Sequence, residues 1–72
     1  MIPVIDEGKQ VPAGVEIWIL KRPHPFRKGK TLYHVYERGL GVVGSHMNTL
    51  DEAKKAAGAR AAKSKLDTSF IA

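Results

Sequence analysis

Cysteine is absent from the sequence, and so is any long run of apolar residues. Without cysteine the chain can form no disulfide bond, no thiolate nucleophile and no cysteine-based zinc site, which suits a reducing compartment. The longest uninterrupted apolar run covers residues 17–20, whereas about 20 apolar residues are needed to span a bilayer. Residues 1–5 are too few for a signal peptide. We therefore expect a cytoplasmic protein that makes no membrane contact.

Catalytic and metal-binding patterns are also missing. A chain of 72 residues has one thin core and little room for an enclosed pocket, because it buries only about 60% of its unfolded surface. The three histidines, His24, His34 and His46, are separated by 10 and 12 residues, which matches no short pair of metal ligands. Ser45 and His46 are adjacent and would point to opposite faces of a strand. We expect a non-enzyme with no cofactor and no metal.

Positive charge is concentrated in one segment. The chain has 12 Lys and Arg against 7 Asp and Glu, a net charge of +5, and residues 21–30 alone hold five cations and no acid. Such a cluster attracts phosphate or an acidic protein surface; the alternative is a charged loop that only maintains solubility. Its prolines and glycine predict a long loop, and its aromatic residue offers a stacking surface for a base. The residues expected to make this contact are Lys21, Arg22, Phe26, Arg27, Lys28 and Lys30.

Alternating side chains predict three strands. Residues 15–20 are rich in β-branched and aromatic types, with Ile17 and Ile19 on one face and Trp18 and Leu20 on the other. Residues 31–38 form the second strand, whose pattern leaves open which face is buried. A glycine-rich connection at residues 39–41 then leads into a third strand near residues 42–46, as in a hairpin.

A helix follows the strands. The sequence from Thr49 to Glu52 fits a capping box, and alanines continue up to about Leu66. At 100° per residue, Ala53, Ala57 and Ala61 fall on one side. Alanine permits close approach, so this side can lie low on the sheet.

Together these elements predict an α+β domain, residues 15–66, in which a three-stranded antiparallel sheet carries one C-terminal helix on one face. Residues 1–14 mix apolar side chains with prolines and glycines and are expected to be a flexible arm; residues 67–72 are a tail that docks back or binds a partner. The other sheet face is left uncovered. Trp18 fits a core position as well as an interface anchor. The apolar residues expected to contact a protein partner, by pairing along an exposed sheet edge, are Ile2, Val4, Ile5, Trp18 and Leu20.

The order of three strands and one helix resembles integrase arm-binding domains and plant AP2-type domains. In those families the sheet lies in the major groove of DNA. This resemblance implies a stand-alone DNA-binding regulator, of the excisionase or integrase-arm type.

As a whole, the small basic chain resembles the early regulators that bacteriophages direct against host RNA polymerase, such as that of a Xanthomonas phage. A coliphage inhibitor of the same enzyme has stretches similar to residues 11–16 and 49–53, in the opposite chain order. The resemblance implies binding to the large subunits of bacterial RNA polymerase in the host cytoplasm, displacement of sigma factor and opposition to termination. We expect a free monomer whose residues 21–30 contact nearby DNA or RNA backbone. A third hypothesis is an inhibitor of another acidic host protein.

Overall fold

The computed structural model describes residues 2–66, in which four strands are followed by one helix. The predicted α+β class is confirmed, with one helix packed on a sheet. The predicted tail, residues 67–72, lies outside the described residues. The elements in chain order are β1 (Val4–Asp6), β2 (Ile17–Pro23), β3 (Thr31–Glu37), β4 (Gly41–Met47) and α1 (Leu50–Lys63).

The sheet is mixed rather than purely antiparallel. Its strand order is β1-β2-β3-β4; β1 runs parallel to β2, and the other neighbouring strands are antiparallel. Ile19 lies opposite Val35, and Trp18 lies opposite Tyr36. Strands β2 to β4 are therefore the three antiparallel strands that the sequence predicts, and β1 is an addition.

The prediction of a flexible N-terminal arm is wrong for residues 2–6. Val4 is aligned with Ile19, and the amide of Ile19 donates a 2.9 Å hydrogen bond to the carbonyl of Pro3. The side chains of Ile2 and Ile5 are only 1% and 7% exposed. The segment is held because the free edge of β2 supplies hydrogen-bond partners and because burial of two isoleucines stabilises it by about 1.5–3 kcal/mol each.

The helix begins where the capping sequence predicts and covers one face of the sheet. Thr49 is the N-cap, and its hydroxyl accepts a 3.2 Å hydrogen bond from the amide of Glu52. The alanine side of α1 is fully buried, which lets the helix lie close to β2, β3 and β4. This helix-side core consists of Ile2, Ile17, Ile19, Val35, Ala53, Ala57 and Ala61.

The opposite sheet face carries no helix within residues 2–66, and we call it the open face. Because side chains alternate along a strand, Trp18, Leu20 and Arg22 lie on this face of β2. The register places Tyr36, His34 and Leu32 beside them on β3. His34 and Leu32 are only 8% and 6% exposed, respectively. Strand β3 is thus buried on both faces, which is why its alternation could not reveal the side that the helix covers.

Candidate nucleic-acid interface

The predicted basic loop is shorter than the sequence suggests. Strand β2 continues through Lys21 and Arg22 to Pro23, which pairs with Thr31, so residues 24–30 form the β2–β3 loop. The prolines predict a loop because they cannot donate to a sheet ladder, but Pro23 is the last residue of β2, where a missing donor costs little. Assignment of Lys21 and Arg22 to the loop is therefore wrong.

Backbone hydrogen bonds fix the shape of this loop. The amide of His24 donates to the carbonyl of Lys30 at 2.9 Å, and the amide of Lys30 donates to the carbonyl of Arg27 at 3.2 Å. Gly29 adopts a φ of 78°, a left-handed conformation that glycine tolerates best. The amide of Phe26 also donates to Nδ1 of His24 at 3.1 Å. The loop is consequently a closed turn rather than an extended linker.

The charges of the loop point into solvent. Arg27, Lys28 and Lys30 are exposed, and none of them forms an ion pair within residues 2–66. Phe26 is 91% exposed, so its ring is available to a ligand; it makes an edge-on contact with His24 at 6.3 Å between centroids. Three cations that have no ion pair among the described residues, beside an exposed aromatic ring, form an anion-attracting surface.

The two remaining predicted cations lie on opposite faces of β2. Lys21 is exposed and lies opposite Tyr33, on the face that carries the helix, whereas Arg22 lies opposite Leu32 on the open face. The Nε atom of Arg22 is 3.6 Å from a carboxylate oxygen of Glu7, too far for a hydrogen bond. The structure therefore groups Arg27, Lys28 and Lys30 but not all of the predicted contact residues.

Two clefts flank the β2–β3 loop. The first has a volume of about 350 Å³ and lies between the loop and the start of α1. Its lining comprises His24, Arg27, Lys30, Thr31, Tyr33, Asn48, Thr49 and Leu50. The second, of about 430 Å³, is lined by two acidic residues of the N-terminal segment as well as by basic ones: Asp6, Glu7, Lys21, Arg22, Pro23, Gly29, Lys30 and Thr31. Only the first cleft has no carboxylate in its lining.

An aromatic and apolar row crosses the open face at the end remote from the loop. Trp18 and Tyr36 stack with ring centroids 5.8 Å apart, and Val42 lies opposite Tyr36 on β4. The guanidinium of Arg38 lies 5.6 Å from the centre of the Trp18 ring. Val42 is 50% exposed, and Leu40 in the adjoining turn is 62% exposed. We call Trp18, Tyr36 and Val42 the apolar row.

His34 is the titratable group most affected by its surroundings. Burial lowers its pKa below the ordinary value, and the nearby charges of Arg22 and His46 lower it further. Its Nε2 atom is buried and has no hydrogen-bond partner within the described chain. The neutral form of His34 is therefore the one that suits the folded sheet.

The residues predicted to contact a protein partner differ in exposure. Ile2 belongs to the helix-side core and Ile5 is buried beside β2, so the prediction that these two anchor a partner is wrong. Val4 is half-buried against the core. Trp18 and Leu20 remain half-buried on the open face. Their placement leaves Trp18 outside the helix-side core.

Several residues of the interface were not identified from the sequence. Thr31, Asn48 and Leu50 line the first cleft. On the open face, Tyr36 stacks on Trp18, and Arg38 lies over the Trp18 ring. The alternation of β3 signals that Tyr36 shares a face with His34. Nothing in the sequence signals that Asn48 lies beside the basic loop.

Across residues 2–66, no group of three or more histidine, cysteine, aspartate or glutamate side chains is arranged to hold a metal ion. In the same part of the chain, no helix has the length and apolar character needed to cross a membrane. Comparison with protein-family models, with curated proteins and with solved structures gave no match.

Proposed function

We propose that this protein is a non-enzymatic nucleic-acid-binding regulator whose β2–β3 loop contacts the sugar-phosphate backbone. The observation that carries the proposal is the exposure of Arg27, Lys28 and Lys30, without ion pairs in the described chain, on a turn fixed by backbone hydrogen bonds. A cation that has no partner in the free protein loses no ion pair when it meets a phosphate. A preformed loop also loses little conformational entropy on binding.

The exposed ring of Phe26 supports the same function. It directly precedes Arg27 and Lys28 in the loop and is 91% exposed, which is costly for a ring that has no ligand. Stacking of a base on an aromatic side chain contributes about 1–3 kcal/mol and does not depend on base identity. Backbone attraction with limited stacking fits sequence-independent binding better than direct readout.

The open face supports a DNA-binding role more weakly. Arg22 and Arg38 lie on it beside Trp18, and a sheet of this kind can enter a major groove. However, a carboxylate oxygen of Glu7 lies 3.6 Å from Nε of Arg22. This carboxylate opposes phosphate. We therefore place the principal contact on the loop and propose no base-specific readout.

A second candidate is binding to the large subunits of bacterial RNA polymerase, with inhibition of initiation through sigma displacement and with antitermination. It is favoured by the apolar row, because Trp18, Tyr36 and Val42 lie at the end of the sheet opposite the basic loop. Separate surfaces would allow one protein to hold the polymerase and touch adjacent nucleic acid. Pull-down from a bacterial lysate tests it: polymerase subunits should be captured by the wild-type protein and lost with Val42→Asp. Their absence from the wild-type sample would exclude this candidate.

The nucleic-acid proposal is tested by measuring affinity for a labelled duplex and a labelled single strand over a range of salt concentrations. For the duplex, the slope of log affinity against log salt concentration should become less steep by about 2.7 in the loop variant Arg27→Gln/Lys28→Gln/Lys30→Gln. This change corresponds to the loss of about three phosphate contacts. The matched control, Lys55→Gln/Lys63→Gln/Lys65→Gln, removes the same charge from two exposed positions of α1 and one exposed position just after it. It should change the slope by less than about 1. Equal effects of the two variants, or no binding at low salt, would contradict the proposal.

A further inference from the structure

The first cleft, between the β2–β3 loop and the start of α1, is built from hydrogen-bond donors. Arg27 and Lys30 contribute charged donors, and Asn48 and Thr31 contribute neutral ones. No carboxylate belongs to its lining. The second cleft, in contrast, includes the carboxylates of Asp6 and Glu7, which repel an anion. An anionic ligand therefore fits the first cleft better than the second.

His24 adds a donor whose identity follows from a hydrogen bond. Because the amide of Phe26 donates to Nδ1 of His24, Nδ1 acts as an acceptor, and the proton of the neutral ring lies on Nε2. Since Nδ1 is engaged within the loop, the Nε2–H group is the one left to a ligand. Histidine, arginine and lysine then offer three different donor geometries to one anion, with arginine able to bind two phosphate oxygens together.

The remaining wall is apolar. Tyr33 and Leu50 line the cleft and also pack against the helix-side core, so they form a firm surface rather than a mobile one. A volume of about 350 Å³ lies within the range of small-molecule sites, about 300–1,000 Å³, and greatly exceeds what a bare phosphate ion fills. The combination of an anion-binding side and an apolar side matches one nucleotide.

We propose that this cleft binds a single nucleotide unit, its phosphate held by Arg27, Lys30 and His24 and its sugar or base placed against Tyr33 and Leu50. The inference rests on the proposed nucleic-acid function and deepens it, because the cleft would fix one nucleotide of a bound strand while Lys28 and Phe26 act outside it. The nucleotide can be free, at the end of a strand or within it. The same residues would bind the phosphate in all three cases, and the experiment below distinguishes them.

The test is a titration of the isotope-labelled full chain, followed through its amide chemical shifts. The probes are inorganic phosphate, adenosine, adenosine monophosphate, and a trinucleotide with and without a 5′-phosphate. We expect adenosine monophosphate to shift the amides of residues 24, 27, 30 and 48–50, and to bind more tightly than phosphate or adenosine alone. Preference for the 5′-phosphorylated trinucleotide identifies a strand end; equal binding of both trinucleotides identifies an internal phosphate. Binding of the mononucleotide without either trinucleotide identifies a free nucleotide.

Single substitutions separate the cleft from general electrostatics. Arg27→Gln and Lys30→Gln should each weaken binding of adenosine monophosphate by about tenfold, a typical effect of losing one charge-assisted hydrogen bond. Lys28→Gln removes the same charge from the same loop but not from the lining, and it should change the affinity by less than about twofold. Equal losses in all three variants would overturn the cleft as a site.

The two proposals fail in different ways. If adenosine monophosphate shifts no cleft amide while duplex binding still depends on the loop cations, the nucleotide site is wrong and the nucleic-acid function stands. If neither the nucleotide nor any duplex or single strand binds at low salt, both proposals are wrong.

Discussion

Trp18 and Tyr36 stack across β2 and β3, with ring centroids 5.8 Å apart and ring planes 3° from parallel. The pair lies on the open face, where no helix of the described chain covers it, and each ring is half-buried. Offset stacking of this kind contributes about 0.5–1.5 kcal/mol beyond the area that the rings bury. Each ring therefore removes part of the other's apolar surface from water, although no helix of the described chain packs on this face.

A double-mutant cycle measures this stacking. Urea unfolding of Trp18→Leu, Tyr36→Leu and the double variant should give a coupling energy of about 1 kcal/mol. The cycle for Trp18 with Val35, which lies on the other sheet face, serves as the control and should give a coupling below about 0.5 kcal/mol. Indistinguishable couplings would show that the ring contact contributes nothing specific.

Arg38 connects the open face to the segment before β2. Its Nε donates to the carbonyl of Val15 at 2.8 Å, its Nη2 donates to that of Pro12 at 3.3 Å, and its guanidinium lies over Trp18. We expect Arg38→Lys to lower the free energy of unfolding by about 1 kcal/mol, because lysine cannot make both hydrogen bonds from a planar group. Denaturant unfolding gives the value, and faster amide exchange at residues 12–16 should accompany it. Unchanged stability would mean that these exposed bonds are exchanged for water without cost.

The ion pair between Glu37 and Arg60 joins the sheet to the helix. Nε of Arg60 donates to Oε1 of Glu37 at 2.6 Å, and the side chains are 30% and 14% exposed for Arg60 and Glu37. Replacing Arg60 by alanine should destabilise the protein by about 1–3 kcal/mol, since it leaves a half-buried carboxylate without its charged donor. Glu37→Gln/Arg60→Gln should be less destabilising than Arg60→Ala. The reverse order, read from unfolding midpoints, would contradict this explanation.

His34 should make stability depend on pH. Because burial and the charges of Arg22 and His46 lower its folded-state pKa, the unfolded chain binds the proton more readily than the folded chain. Stability is then fully retained above the ordinary pKa of about 6.5 and falls as the pH decreases toward the lowered value. His34→Gln should flatten the dependence of the unfolding free energy between about pH 7 and pH 5. Arg22→Gln should reduce this pH dependence only partly. If the pH dependence is undiminished in His34→Gln, a group other than His34 causes it.

The sequence predicted the three antiparallel strands and the helix well, because local patterns determine them. Alternation in β2 separates Ile17 and Ile19 from Trp18, and the capping residue Thr49 marks the start of α1. Strand β1 was missed because three residues are too few to show a period and because its parallel pairing with β2 is a nonlocal contact. Without β1, the sequence gives Ile2 and Ile5 no place in the core, although both are buried.

Only the part of the candidate site that comes from one continuous segment, the β2–β3 loop, was predicted from the sequence. A dense charge run identified Arg27, Lys28 and Lys30 without knowledge of the fold. The opposite wall of the first cleft comes from Asn48 and Leu50, which reach the loop only because the hairpin and the helix return the chain to that end of the sheet. Such a juxtaposition has no signature in a single sequence.

The most direct test of the account is an amide chemical-shift map of the labelled protein titrated with a short duplex at low salt. Contact by the β2–β3 loop predicts the largest changes at residues 24–31, with smaller ones at residues 48–50 across the first cleft. Changes confined to the exposed side of α1 or to the turn around Leu40, with the loop unaffected, would contradict it.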